Sequence, residues 1–206
     1  EGDNKFDVSG HFKGPDEKPT DFSYSIASLV YAGVFDPAIS YLRSSTATAK
    51  DIRLTSKSET EEVSASIASM DQKLSSTDSA GGNGRIDIVG SGSASTFVEQ
   101  VSGAQMPPVE IRADSIDVEA KINALPAKQI REMVLFILDH ADEKELSPEN
   151  SAKVKGILKE SFPLLASFSE TIGVNNLTVS TQMGNGGVKQ FGYNVAMDGP
   201  SDAMRF

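Results

Sequence analysis

Apolar residues recur at every second position over much of this chain. Phe6, Val8, Gly10 and Phe12 alternate with polar neighbours as far as Gly14-Pro15, the period of a strand with one buried face. The alternation continues from Asp21 to Val34, but Phe22, Tyr24 and Ile26 stand on one phase and Leu29 and Tyr31 on the other. That change around Ala27-Ser28 predicts a bulge or burial of both faces. Asp36-Pro37 supplies a capping carboxylate and a proline suited to a first helical turn, so Ala38, Ile39, Tyr41 and Leu42 are expected as a short helix. Two further runs, Ile52 with Leu54 and Val63 with Ala65 and Ile67, flank the polar stretch 57–62 and predict an antiparallel hairpin.

Residues 75–84 hold no large apolar group, which predicts an exposed loop and a candidate domain boundary. Alternation resumes at Ile86 and Ile88, passes Gly90-Ser91-Gly92-Ser93 as a bend, and after Pro107-Pro108 runs from Val109 to Ile122 as one long strand. A second phase change falls between Ala113 and Ile116. The period then lengthens: Ile130, Met133, Val134, Ile137, Leu138 and Ala141 are spaced by three and four, an amphipathic helix. Ser147-Pro148 opens another helix whose stripe is Val154, Ile157, Leu158, Phe162, Leu165 and Phe168, interrupted near 160–162 by Pro163 and ended at Gly173. Leu177 to Met183 and Phe191 to Met197 form a last hairpin, turning at 184–187.

These elements predict an α+β fold, a single domain over residues 1–206 built from one or two long curved antiparallel sheets with helices packed on one face. Long strand, helical insertion and hairpin describe both 22–74 and 116–197. Phe22-Ser23-Tyr24-Ser25-Ile26-Ala27 echoes Phe191-Gly192-Tyr193-Asn194-Val195-Ala196, so a duplicated unit is expected.

Charge and composition narrow the chemistry. The net charge of −10 argues against nucleic acid as a partner, because an acidic surface repels phosphate. The 206 residues contain no Cys, which excludes disulfides, thiol catalysis and thiolate metal sites. No run approaches the roughly 18 apolar residues of a membrane helix, so no membrane span is expected, and the start at Glu1 is expected of a processed or trimmed chain. His11 and His140 lack a second histidine at ligand spacing. His140 suits a helix C-terminus and His11 an exposed strand position. The 81–89 run, Gly81-Gly82-Asn83-Gly84-Arg85-Ile86-Asp87-Ile88-Val89, places its aspartate one position late for a calcium nonapeptide and has no second copy. Gly90-Ser91-Gly92-Ser93 lacks the setting of a nucleophile elbow. No catalytic residue, metal ligand or cofactor site is assigned, and the chain is expected not to be an enzyme. Asn176-Leu177-Thr178 matches a glycosylation sequon.

What remains is apolar surface. Phe22, Tyr24, Ile26, Tyr31, Phe191, Tyr193 and Met197 on the strands, facing Met133, Phe136, Phe162 and Phe168 on the helices, are the candidates for a groove that takes a lipid or another apolar small molecule. An ordinary core accounts for the same residues.

The segment Ile157-Leu158-Lys159-Glu160-Ser161-Phe162-Pro163-Leu164-Leu165, followed by Gly173-Val174-Asn175-Asn176-Leu177-Thr178-Val179-Ser180-Thr181-Gln182-Met183-Gly184, resembles a family of uncharacterised alphaproteobacterial cell-envelope proteins. That family is catalogued as a domain of unknown function. The resemblance covers about the last 80 residues and implies an exported protein, periplasmic or anchored to the inner membrane by a segment removed from this chain. It carries over no catalytic residue. The expected function is therefore non-enzymatic binding of a lipid in a groove between sheet and helices. The alternative is a structural or adhesive module that recruits an envelope protein partner, and a hydrolase stands third.

Overall fold

A computed structural model describes residues 2–13, 19–39, 41–104, 106–142 and 145–199; the expected strand stop at Gly14-Pro15 lies outside them. Eight strands form one sheet: β1 (Gly2–Lys13), β2 (Pro19–Asp36), β3 (Tyr41–Lys57), β4 (Glu61–Asp78), β5 (Ile86–Gly103), β6 (Met106–Leu125), β7 (Ser167–Thr181) and β8 (Gly184–Asp198). Each pairs antiparallel with the next, in chain order from β1 to β8. The only helices among the described residues, α1 (Ala127–Asp139) and α2 (Pro148–Ser161), lie between β6 and β7.

This overturns the expected α+β architecture: the fold is mostly β, an open meander with one helical pair at its end. The proposed unit of strand, helix and hairpin fails at 36–42, where Pro37, Ala38 and Ile39 make only a turn. Asp36 does cap that turn, accepting the Ala38 amide at 2.8 Å, but the chain then enters β3 at Tyr41 instead of continuing as helix. Phe168 and Gly173, expected at the end of the second helix, belong to β7. Pro163 explains why, since α2 stops two residues before it. The last hairpin turns at Gln182-Met183, with the glycines already inside β8.

The strands are unusually long. Eighteen residues at about 3.3 Å each span roughly 60 Å, whereas strands of 3–10 residues are usual. Length on this scale calls for relief of twist, and the chain provides it at one level. Asp51 on β3, Thr96 on β5 and Asn176 on β7 all have positive φ, at 50°, 51° and 50°. On the intervening strands Ala27, Ala68 and Asp114 stand opposite these positions, where the ladder of paired residues is interrupted. A line of kinks therefore crosses the sheet, and it passes through both phase changes visible in the sequence. Asn176 is fixed there by donating to Asp114 Oδ2 at 2.6 Å.

The core lies at the end of the sheet where the helices attach. Ile39, Ile86, Ile88 and Ala127 are buried together, with Tyr41, Leu74, Ile122 and Leu125 packed around them. Arg85 bolts the helical pair to this end. Its guanidinium donates to the carbonyls of Ala124 and Pro163 at 2.7 Å and of Ser161 at 3.1 Å, joining the end of β6 to the end of α2. Lys128 N donates to Gly84 O at 3.1 Å, and Gln129 is fully buried beside that loop.

The helices pack on one another rather than on a face of the sheet. Phe136 is the buried ring of the pair, 4% exposed, stacked on His140 at 4.1 Å and capped by Lys153 Nζ at 5.5 Å. His140 sits at the end of α1, its Nδ1 2.8 Å from the Phe136 carbonyl. The stripe that periodicity predicted to be buried faces the other way: Ile137 and Leu138 are 58% and 67% exposed. No helix among the described residues is long and apolar enough to cross a membrane.

Candidate apolar groove

Register decides which side chains share a face. In the half of the sheet nearest the helices, three consecutive rows read Leu29–Ala49–Met70–Ala94–Ile116–Val174–Phe191, Tyr31–Ala47–Gln72–Gly92–Val118–Ile172–Tyr193 and Gly33–Ser45–Leu74–Gly90–Ala120–Glu170–Val195. The alternate positions on the central strands are mostly Ser, Thr and charged residues, as in Asp117, Glu119 and Lys121 on β6, all exposed, with Val30, Val34 and Val89 among them. One face of this half is thus predominantly apolar and the other predominantly polar, and among the described residues no second layer of secondary structure lies over the apolar side.

In each row the side chain on β5 is smaller than its neighbours on β4 and β6. On β5 the side chains shrink to Ala94, Gly92 and Gly90 in succession, while Met70 and Gln72 on β4 and Ile116, Val118 and Ala120 on β6 rise on either side. The result is a concavity of about 320 Å³ that runs along β5. A Cβ added at Gly90 or Gly92 meets only a neighbouring backbone carbonyl, at 3.8 and 3.6 Å, so the floor is open space that any larger residue would fill. Neither glycine has a positive φ. Their role here is the absence of a side chain, not backbone freedom.

The residues expected to form the groove are distributed differently. Phe22, Tyr24 and Ile26 lie on β2 beyond the line of kinks, where Phe22 meets Phe12 at 6.1 Å and Tyr24 meets Phe6 at 6.3 Å between ring centres. Tyr31 lies in the nearer half of β2. Phe191, Tyr193 and Met197 belong to β8 at the opposite edge, with Phe168 on β7 paired to Met197. Tyr31 and Tyr193 share a row, but six strand spacings of about 4.8 Å keep them apart. Met133 and Phe136 belong to α1, where Phe136 packs against His140 and Lys153, and Phe162 follows α2 and is 46% exposed. The predicted groove between sheet and helices is not formed.

The residues that do line the concavity were missed apart from their place in alternating runs. The available signal was Gly90, Gly92 and Ala94 at every second position, separated by Ser91 and Ser93, which is the pattern of a strand with a hollow side. Reading it as a bend hid it.

Charge at this end is concentrated off the groove. Arg43 bridges Asp36 at 2.8 Å and Asp78 at 2.9 Å. The hydrogen bond from Arg43, with help from the Ala38 amide, holds the Asp36 carboxyl below the usual carboxylate range. Among the described residues no three acidic or histidine side chains converge as a metal site. His11, expected to be exposed, is so, 3.7 Å from Asp21.

No family model, curated protein or solved structure matches this chain.

Proposed function

We propose that the chain is a non-enzymatic binding module of the cell envelope that holds a slender apolar ligand, an acyl chain or its like, along β5. The single observation that carries this reading is the glycine floor: an apolar concavity of about 320 Å³, which falls in the size range of ligand sites, has its open volume at Gly90 and Gly92. An uncovered apolar face of this extent on a water-facing domain also favours an interaction partner. Export and a periplasmic setting rest on the resemblance of the C-terminal segment to envelope proteins.

The test is native mass spectrometry of the protein purified from a bacterial host, repeated on Gly90→Val/Gly92→Val. The expected result is a co-purifying lipid near one per chain in the parent and none in the variant, with unchanged circular dichroism. A clean apo mass for the parent, together with no uptake of added dodecanol, overturns the proposal.

A second reading, a structural module that recruits a protein partner, is favoured by a different feature. Every residue of the edge strand β8 is exposed.

A further inference from the structure

The apolar face carries one carboxylate that nothing in the fold explains. Glu170 lies on β7 directly opposite Ala120, a groove-lining residue of β6, and directly opposite Val195 of β8. Directly paired residues have Cβ atoms about 5 Å apart. The carboxylate therefore begins beside the wall of the concavity. Its diagonal neighbours on β8 are Tyr193 and Met197, and on its own strand the same face continues with Phe168 and Ile172. Glu170 is half-buried, and among the described residues its carboxylate has neither a hydrogen bond nor an ion pair. Asp36, Arg43 and Asp78 at this end are engaged in a network of their own. In the three rows above there is no Lys or Arg at all.

From this we infer that the β5 groove selects amphiphiles with a cationic head, an ammonium group that seats between Glu170 and Tyr193; the inference rests on the groove reading of the previous section. The argument is one of desolvation. A ligand laid over β5 and its neighbours removes water from that face, and a carboxylate losing water without gaining a partner opposes binding. A neutral or anionic head leaves Glu170 in that position. An ammonium head supplies the missing countercharge and meets the Tyr193 ring as well, the combination of carboxylate and aromatic face that suits alkylated ammonium groups. Geometry permits both ends to be engaged at once. Glu170 is two strand spacings from Gly90, roughly 10 Å, so a twelve-carbon chain reaches from the groove floor to the carboxylate.

The experiment compares dodecyltrimethylammonium, dodecanol and dodecanoate by titration calorimetry in about 0.15 M salt, where distant charges are screened over about 8 Å. The proteins are the parent, Glu170→Gln, and Glu119→Gln, which removes the same charge from the exposed polar face of β6. The parent is expected to bind the ammonium compound about tenfold more tightly than dodecanol, and dodecanoate least. Glu170→Gln abolishes that preference, weakening the ammonium compound and tightening dodecanol by relieving the unpaired charge, whereas Glu119→Gln alters neither. Equal losses in the two variants mean that net charge alone is responsible, and the inference falls. Binding of dodecanol without any preference for the ammonium head overturns this inference and leaves the groove standing. Failure of all three compounds to bind overturns both.

Discussion

At the scale of single residues, the clearest electrostatic event is the Asp36–Arg43–Asp78 network. Asp36 closes the turn after β2 through the Ala38 amide and anchors Arg43 of β3, so one carboxylate serves both the turn and the strand that follows. Because Arg43 and the amide favour its ionised form, Asp36 releases its proton at lower pH in the folded chain than in the unfolded one. The folded state then binds fewer protons as pH drops below the usual carboxylate value. Its contribution to stability is complete above that value and disappears as pH falls through the depressed one. Asp36→Asn should therefore lower the urea midpoint at pH 7 and make progressively less difference toward pH 2. Urea titrations of both proteins across that range, with Asp78→Asn as the more exposed comparison, measure it. A gap between parent and Asp36→Asn that stays constant with pH excludes the network as its source.

At the scale of elements, the helices show most clearly what the sequence allowed and what it concealed. The three- and four-residue spacing of Ile130, Met133, Val134, Ile137 and Leu138 located α1, but an amphipathic stripe announces a face without saying which neighbour covers it. Here α1 turns Gln129 and Phe136 inward and leaves the stripe in solvent. Truncation of Phe136 to alanine should thus destabilise the helical pair by about 3 kcal/mol, while Ile137→Gln and Leu138→Gln stay within about 0.5 kcal/mol. Amide hydrogen exchange of α1 reads this directly, and the reverse ranking means that the stripe is the packed face after all. The strands were more legible. A residue on the wrong phase is a local signal, so Ala27-Ser28 and the interval from Ala113 to Ile116 marked the line of kinks. That the line crosses every strand, through Asp51, Thr96 and Asn176, depends on register between strands and no single segment contains it. The groove escaped for the same reason. Gly90 and Gly92 have turn-like composition, and only their neighbours on β4 and β6 make them a floor.

At the scale of the whole molecule, the open meander leaves two edges, and they are defended unequally. Edge strands present a row of unpaired backbone groups, and natural proteins blunt them with charge, proline or bulges. β1 carries Lys5, Asp7, His11 and Lys13 within nine positions, and its pairing to β2 shifts between Asn4 and Phe6. β8 holds only Lys189 and Asp198 in 15 residues, contains no proline, and exposes Phe191, Tyr193, Val195 and Met197 by about half each. Self-pairing of β8 about an axis through Asn194 sets Phe191 against Met197 and Tyr193 against Val195, so the apolar set of one copy faces that of the next. The nine paired residues are about 30 Å long and cover an area below that of a permanent dimer, which places the association among weak, concentration-dependent contacts. Sedimentation equilibrium should accordingly show a mass rising above 21.9 kDa with concentration. Val195→Lys, an inward charge on the undefended edge, should hold the chain monomeric, and Val8→Lys on β1 should leave the association intact. Loss of association with Val8→Lys alone would assign the contact to the other edge, and a monomer at all concentrations would mean that Lys189 and Asp198 suffice to guard β8.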